Sequence, residues 1–147
     1  MGTQQILLIV LSVIIVGVAI AVGITMFRNQ AYNSNVQAVS SELNNYGAQA
    51  LQWWKTPLSQ GGAGQTFDAS TIVANLQAYL GLPATPVMGE TGVFQVTSAA
   101  AADTSIVLSG IGKEIKGGKH PKVVTTVRLN TGVITANAAG TDADGGF

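Results

Sequence analysis

Cysteine is absent from the 147-residue chain, so neither disulfide staples nor thiolate chemistry is available to it. Histidine occurs once, at His120 within a lysine-rich stretch. Zinc sites and Ser-His-Asp or Cys-His catalysis would therefore lack parts or rest on that single residue, which reads as a solvated turn residue. Charge is scarce as well: seven Lys and Arg balance seven Asp and Glu, a formal net charge of zero. A surface made mainly of Ser, Thr, Asn, Gln, Ala and Gly attracts nucleic acid weakly and gives copies of the chain little reason to repel one another. The composition points away from an enzyme, a bound cofactor or metal, and a specific nucleic acid partner. It leaves dense self-association open.

The scarcity is uneven along the chain. No charged residue precedes Arg28 and no carboxylate precedes Glu42. The stretch from Ile6 to Phe27 is almost wholly apolar, and at roughly 1.5 Å per residue it makes a helix of about 33 Å, enough to cross a hydrocarbon layer of about 30 Å. It differs from a cleaved export signal, which opens on Lys or Arg and has a shorter apolar core; Ala19-Ile20-Ala21 is its one cleavage-like feature. Proline is also kept out of this region, and the first in the chain, Pro57, sets the end of any helix running from the amino end.

Beyond Arg28 the pattern changes without a break. Tyr32, Val36, Val39, Leu43, Tyr46, Ala50 and Trp54 recur every three or four residues, which is one stripe on a helix. The spacing predicts a single helix of about fifty residues, apolar all round in its first half and amphipathic in its second. Residues 1–28 then form an apolar half-helix for a membrane or a filament core, and residues 29–147 a globular domain with the amphipathic half built into it.

The rest of that domain reads as a small α+β unit. Asp68 is a suitable N-cap for a second helix through "ASTIVANLQAYL", ended by Gly81 and Pro83. Four β-rich runs follow, Val93–Ser98, Ser105–Ser109, Lys122–Leu129 and Val133–Ala136, with Asn130-Thr131-Gly132 as a tight hairpin signal between the last two. An antiparallel sheet of about four strands laid on the stripe would complete the core. The stretch "AAGTDADGGF" at the carboxyl end is small and flexible in composition.

This order of parts resembles the type IV pilin superfamily: a few small or polar residues, then "QQILLIVLSVIIVGVAIAVGI", an uninterrupted passage into an amphipathic helix, and a sheet packed on that helix. The resemblance implies a filament subunit that waits in the inner membrane and is then assembled with identical subunits into a helical homopolymer at the cell surface. It implies a prepilin peptidase, which removes a short basic leader and methylates the new amino end, here Met1, and a pilus assembly machinery as further partners. The assembly interface expected from it comprises Met1, Gln4, Gln5, Leu8, Ser12, Gly17, Ala21 and Gly23. Two departures stand out. The family usually has a glutamate where this chain has Gln5, so the contact to a neighbour's ammonium would be a hydrogen bond without a charge. Many bacterial members carry a helix-breaking proline in the apolar half; here Gly17 and Gly23 either soften the helix or, as we read them, let neighbouring helices approach closely. The alternatives are a pseudopilin of a secretion or DNA-uptake machine, with the same architecture in a shorter filament, and a monomeric membrane-anchored binding module.

Other candidate sites have plainer readings. Lys113, Lys116, Lys119, His120 and Lys122 could grip DNA or an acidic surface, but Glu114 interrupts them and no aromatic side chain interleaves, as expected of a solvated hairpin. Asp142 and Asp144 faintly resemble a calcium loop, without further oxygen ligands in the stretch. Trp54 continues the stripe into the core, whereas Trp53 is expected at an interface.

Overall fold

The computed structural model describes residues 2–142, the last four of these by their backbone alone. Met1 and Asp144, and with them the expected processing site and the calcium reading, lie outside the described residues; Asp142 is described by its backbone only. The fold is α+β. Helix α1, Gly2–Lys55, runs unbroken for 54 residues, about 81 Å at the α-helical rise. No proline interrupts it, and it passes through Gly17 and Gly23 without a change of helix type. Its end comes one residue before Thr56-Pro57, followed by a single 3-10 turn at Leu58–Gln60.

The predicted stripe faces the domain. Val39, Leu43, Ala50 and Trp54 are buried, and Tyr32, Val36 and Tyr46 are half-buried. They lie on an antiparallel meander of β1 (Gly92–Ala100), β2 (Ser105–Gly112), β3 (His120–Arg128) and β4 (Val133–Asp142), in the spatial order β1-β2-β3-β4. Strand β3 shows why one face is covered: Val123, Thr125 and Val127 are buried, while the alternating Lys122, Val124 and Thr126 are half-buried. Ile106 and Leu108 from β2 complete the layer under the helix. The helix comes close because position 110 has no side chain: a Cβ there would meet Val39 Cγ1 at 2.8 Å and Leu43 Cδ1 at 3.0 Å. A second helix, α2 (Ile72–Leu80), packs on β1 and the end of α1, burying Ile72 and Leu76.

Several elements differ in extent from the sequence expectation. Asp68 does not cap α2. Its carboxylate instead accepts hydrogen bonds from the Ser70 backbone N–H at 3.0 Å and the Ser70 hydroxyl at 2.6 Å, which holds its pKa below the usual carboxylate range and forms a turn ahead of the helix, so that α2 begins at Ile72. All four strands extend beyond the predicted runs at one end or both. Ladder hydrogen bonds carry β4 past Ala136, with His120 paired to Asp142 and one register shift between Lys122 and Val123. The last hairpin spans Leu129–Gly132, with Gly132 at a φ of 74° and its N–H bonded to Arg128 O at 2.8 Å.

Candidate assembly and membrane interface

Helix α1 divides at Asn29, the first half-buried residue along it. From Gly2 to Arg28 every residue is exposed, including Ile6 through Leu11, Val13 through Val16, and Phe27 at 75 %. The helix is long and apolar enough to cross a membrane, and none of its most apolar stretch is covered by the domain. An apolar patch of that size left bare in water marks a surface that another apolar phase covers. Two of its three hydroxyls are already satisfied: Ser12 Oγ donates to Ile9 O at 2.7 Å and Thr25 Oγ1 to Ala21 O at 2.9 Å, while Thr3 has no such partner among the described residues. Neither Ser12 nor Thr25 would carry an unmet hydrogen bond into lipid or a helix bundle. Gln4 and Gln5 make no side-chain hydrogen bond among the described residues.

The expected interface residues do not share one face. At 100° per residue, Gln4, Gln5, Leu8, Ser12 and Gly23 fall within about 100° of arc, whereas Gly17 and Ala21 point to the opposite side. The small residues make two pairs four apart, Gly17 with Ala21 and Ala19 with Gly23, on opposed faces and offset by about 3 Å along the axis. At Gly17 and Gly23 a Cβ would meet nothing within 4 Å, so no intramolecular contact requires glycine there.

Comparison with known protein families, with curated proteins and with solved structures gave no match. The long apolar helix and the four-stranded antiparallel sheet are compatible with a pilin-like fold. Among the described residues, no three His, Asp or Glu side chains gather where they could hold a metal ion.

Where the bare segment ends, a clamp ties α1 to the domain. Asn35 Nδ2 donates to Thr91 O at 2.9 Å, and its Oδ1 accepts from the Glu114 N–H at 3.3 Å. Gly112 makes room for that amide: a Cβ would fall 2.0 Å from Asn35 Oδ1. One turn earlier on α1, the Tyr32 ring lies 5.7 Å from the Lys116 ammonium. One helical turn farther along than the stripe's midpoint, Tyr46 Oη donates to Glu42 Oε1 at 3.4 Å, while Thr91 Oγ1 donates to Glu42 Oε2 at 2.6 Å. Asn35 escapes sequence reasoning because its partners are far along the chain; a polar residue flanking an apolar stripe was the available signal.

Two expectations are corrected. Trp53 is not at a surface: it is buried, with its ring centroid 6.3 Å from that of Tyr79 and its Nε1 donating to Gly61 O at 3.1 Å, because the chain after Pro57 folds back over the end of α1. His120 is not a solvated turn residue either. It opens β3 half-buried, with Nδ1 2.9 Å from Gly112 O; since a carbonyl only accepts, Nδ1 carries the proton. The lysine turn itself is exposed from Lys113 to Lys119, closed by the Lys116–Lys119 bridge through Gly117 and Gly118 at positive φ.

Proposed function

We propose that the chain is the structural subunit of a helical filament of the type IV pilus kind, assembled through the apolar half of α1. One observation carries the reading: an apolar half-helix, rigidly continuous with a folded domain, that its own domain does not cover. Before assembly the segment rests in a membrane; in the filament the helices of neighbouring copies replace lipid around it. The exchange is one apolar environment for another, so close packing decides it, and small residues on two opposed faces suit a helix that has neighbours on both sides. No chemistry in the subunit is needed.

The test is electron microscopy of sheared cell-surface material from cells expressing the chain or Gly17→Leu. The wild type should give helical filaments. Gly17→Leu should give none, while its domain unfolds at the same temperature as the wild type, because the added side chain meets nothing within the subunit. Wild-type protein confined to the membrane as a monomer would replace this reading with that of an anchored binding module.

A further inference from the structure

The basic turn and the end of the bare half-helix meet at one level of the molecule. Phe27 and Arg28 line a surface groove together with Lys113, Ile115 and the Gly117-Gly118 turn. Phe27 is 75 % exposed and Ile115 56 % exposed, an apolar pair on two different elements with nothing over them. Around the pair stand Arg28, Lys113, Lys116 and Lys119, none in an ion pair among the described residues, and Glu114 is the one carboxylate among them. The turn is held against α1 by the Glu114 N–H on Asn35 and by Lys116 over Tyr32, so its height relative to Phe27 is set by the fold.

We propose that this collar seats the domain on the surface of a bilayer containing anionic phospholipid, with Phe27 and Ile115 entering the interface and the four cations on headgroup phosphates. The proposal rests on the membrane stage of the reading above and not on its filament stage. A helix whose hydrocarbon-spanning part ends at Phe27 brings the next turn, and whatever is fixed beside it, to headgroup depth. Groups there must suit both acyl chains and phosphate. Exposed Phe and Ile beside Lys and Arg on long flexible stems meet both demands. Nucleic acid fits less well, because the Tyr32 ring is already occupied by Lys116 and Phe27 lies on the membrane side. A second copy offers no net opposing charge, since seven Lys and Arg balance seven Asp and Glu along the chain.

The lack of cysteine allows a clean experiment, in which Ile115→Cys, Val10→Cys and Ser59→Cys are spin-labelled one at a time in the full chain and reconstituted into vesicles. Accessibility to a neutral aqueous nickel chelate is compared between phosphatidylcholine alone and a mixture rich in phosphatidylglycerol. The Ile115 label should become about threefold less accessible in the anionic vesicles, and the Ser59 label, on the 3-10 turn at the far end of the domain, should not change. Lys113→Gln/Lys119→Gln, which keeps Lys116 over Tyr32, or high salt should restore access. Equal access of the Ile115 label in both lipids, with the Val10 label shielded, would overturn the collar and leave the membrane stage standing. A Val10 label open to the chelate would overturn both. Shielding of Ile115 by a short DNA duplex in detergent, without shielding by anionic vesicles, would overturn the proposal in favour of nucleic acid.

Discussion

The two halves of α1 share one backbone and differ in what their side chains meet. In the half after Asn29, apolar residues come every third or fourth position and meet the sheet, the second helix or a loop of the same domain, so burial in the same chain stabilises the helix. In the half before it apolar residues come at nearly every position and meet nothing, so the same chain gives them no tertiary support. An amphipathic stripe specifies one partner on one side. An apolar surface all round specifies an environment instead. The first is a folding instruction and the second an address, and the absence of any break between them makes the domain rigidly follow wherever the address leads.

The largest effect that would test this contrast is a pair of truncations. Leu43 is fully buried and Leu8 is 63 % exposed. Leu43→Ala should cost the domain about 2 to 5 kcal/mol, the usual range for a leucine removed from a packed core. Leu8→Ala should leave domain stability unchanged. Urea unfolding of both variants in mild detergent checks this, and an equal loss from Leu8→Ala would mean that the bare half has an intramolecular partner.

Next in size is the amino end. If polar groups hold that end to a neighbour in the filament, Gln4 and Gln5 must supply most of them, since no carboxylate precedes Glu42. A buried hydrogen bond left unmade costs about 1 to 3 kcal/mol in each subunit. Gln5→Leu should therefore give filaments that disassemble at lower temperature, with the subunit's own unfolding unmoved. Gln5→Glu should be tolerated only if an ammonium lies opposite, because a desolvated carboxylate without a partner is expensive. Light scattering during heating of the two variants reads both outcomes, and wild-type disassembly of Gln5→Leu would assign this end to helix packing alone.

The same contrast explains what was legible in the sequence. The stripe from Tyr32 to Trp54, the halt at Pro57 and four strands were readable because each is written in neighbouring residues. The clamp was not: Asn35 meets Thr91 and Glu114, and Gly110 admits Val39 and Leu43, across separations that no local pattern encodes. Trp53 was misplaced for the same reason, since the segment that covers it returns only after the helix has ended. For the bare half the sequence shows its apolar length and where small residues lie, but a helix with no intramolecular partner carries no record of the crossing angle that any neighbours would adopt.

A smaller effect lies under the amphipathic half. Thr125 is fully buried on the helix-facing side of β3, and its hydroxyl has no hydrogen-bond partner among the described residues. Valine has nearly the same shape without that hydroxyl and suits a strand equally well. Thr125→Val should raise the stability of the domain by about 1 kcal/mol, read as a shift of the urea midpoint at unchanged slope. A loss would mean that the hydroxyl is satisfied.

The smallest expected effect is confined to alkaline solution. Burial, and then the charge of and hydrogen bond to Glu42, raise the Tyr46 pKa above its usual value of 10.0. In the unfolded chain the phenol loses its proton near pH 10, while in the native domain it keeps it to higher pH. Deprotonation therefore favours the unfolded chain first, so the contribution is fully present below pH 10 and is lost as pH rises from there through the folded-state value. Tyr46 is only half-buried, and solvent screens much of the interaction with Glu42. The signature is thus a slope more than a collapse: between pH 8 and pH 11 wild-type stability should fall more steeply than that of Tyr46→Phe, which keeps the ring against Phe94 at 5.4 Å but has no proton to lose. The rest of the molecule is common to both proteins, so its contribution cancels in the comparison. Because Glu42 lies on α1 and also receives Thr91 Oγ1, Glu42→Gln should flatten the slope in part. Parallel pH profiles for wild type and Tyr46→Phe would show that this end of the helix is held by packing alone.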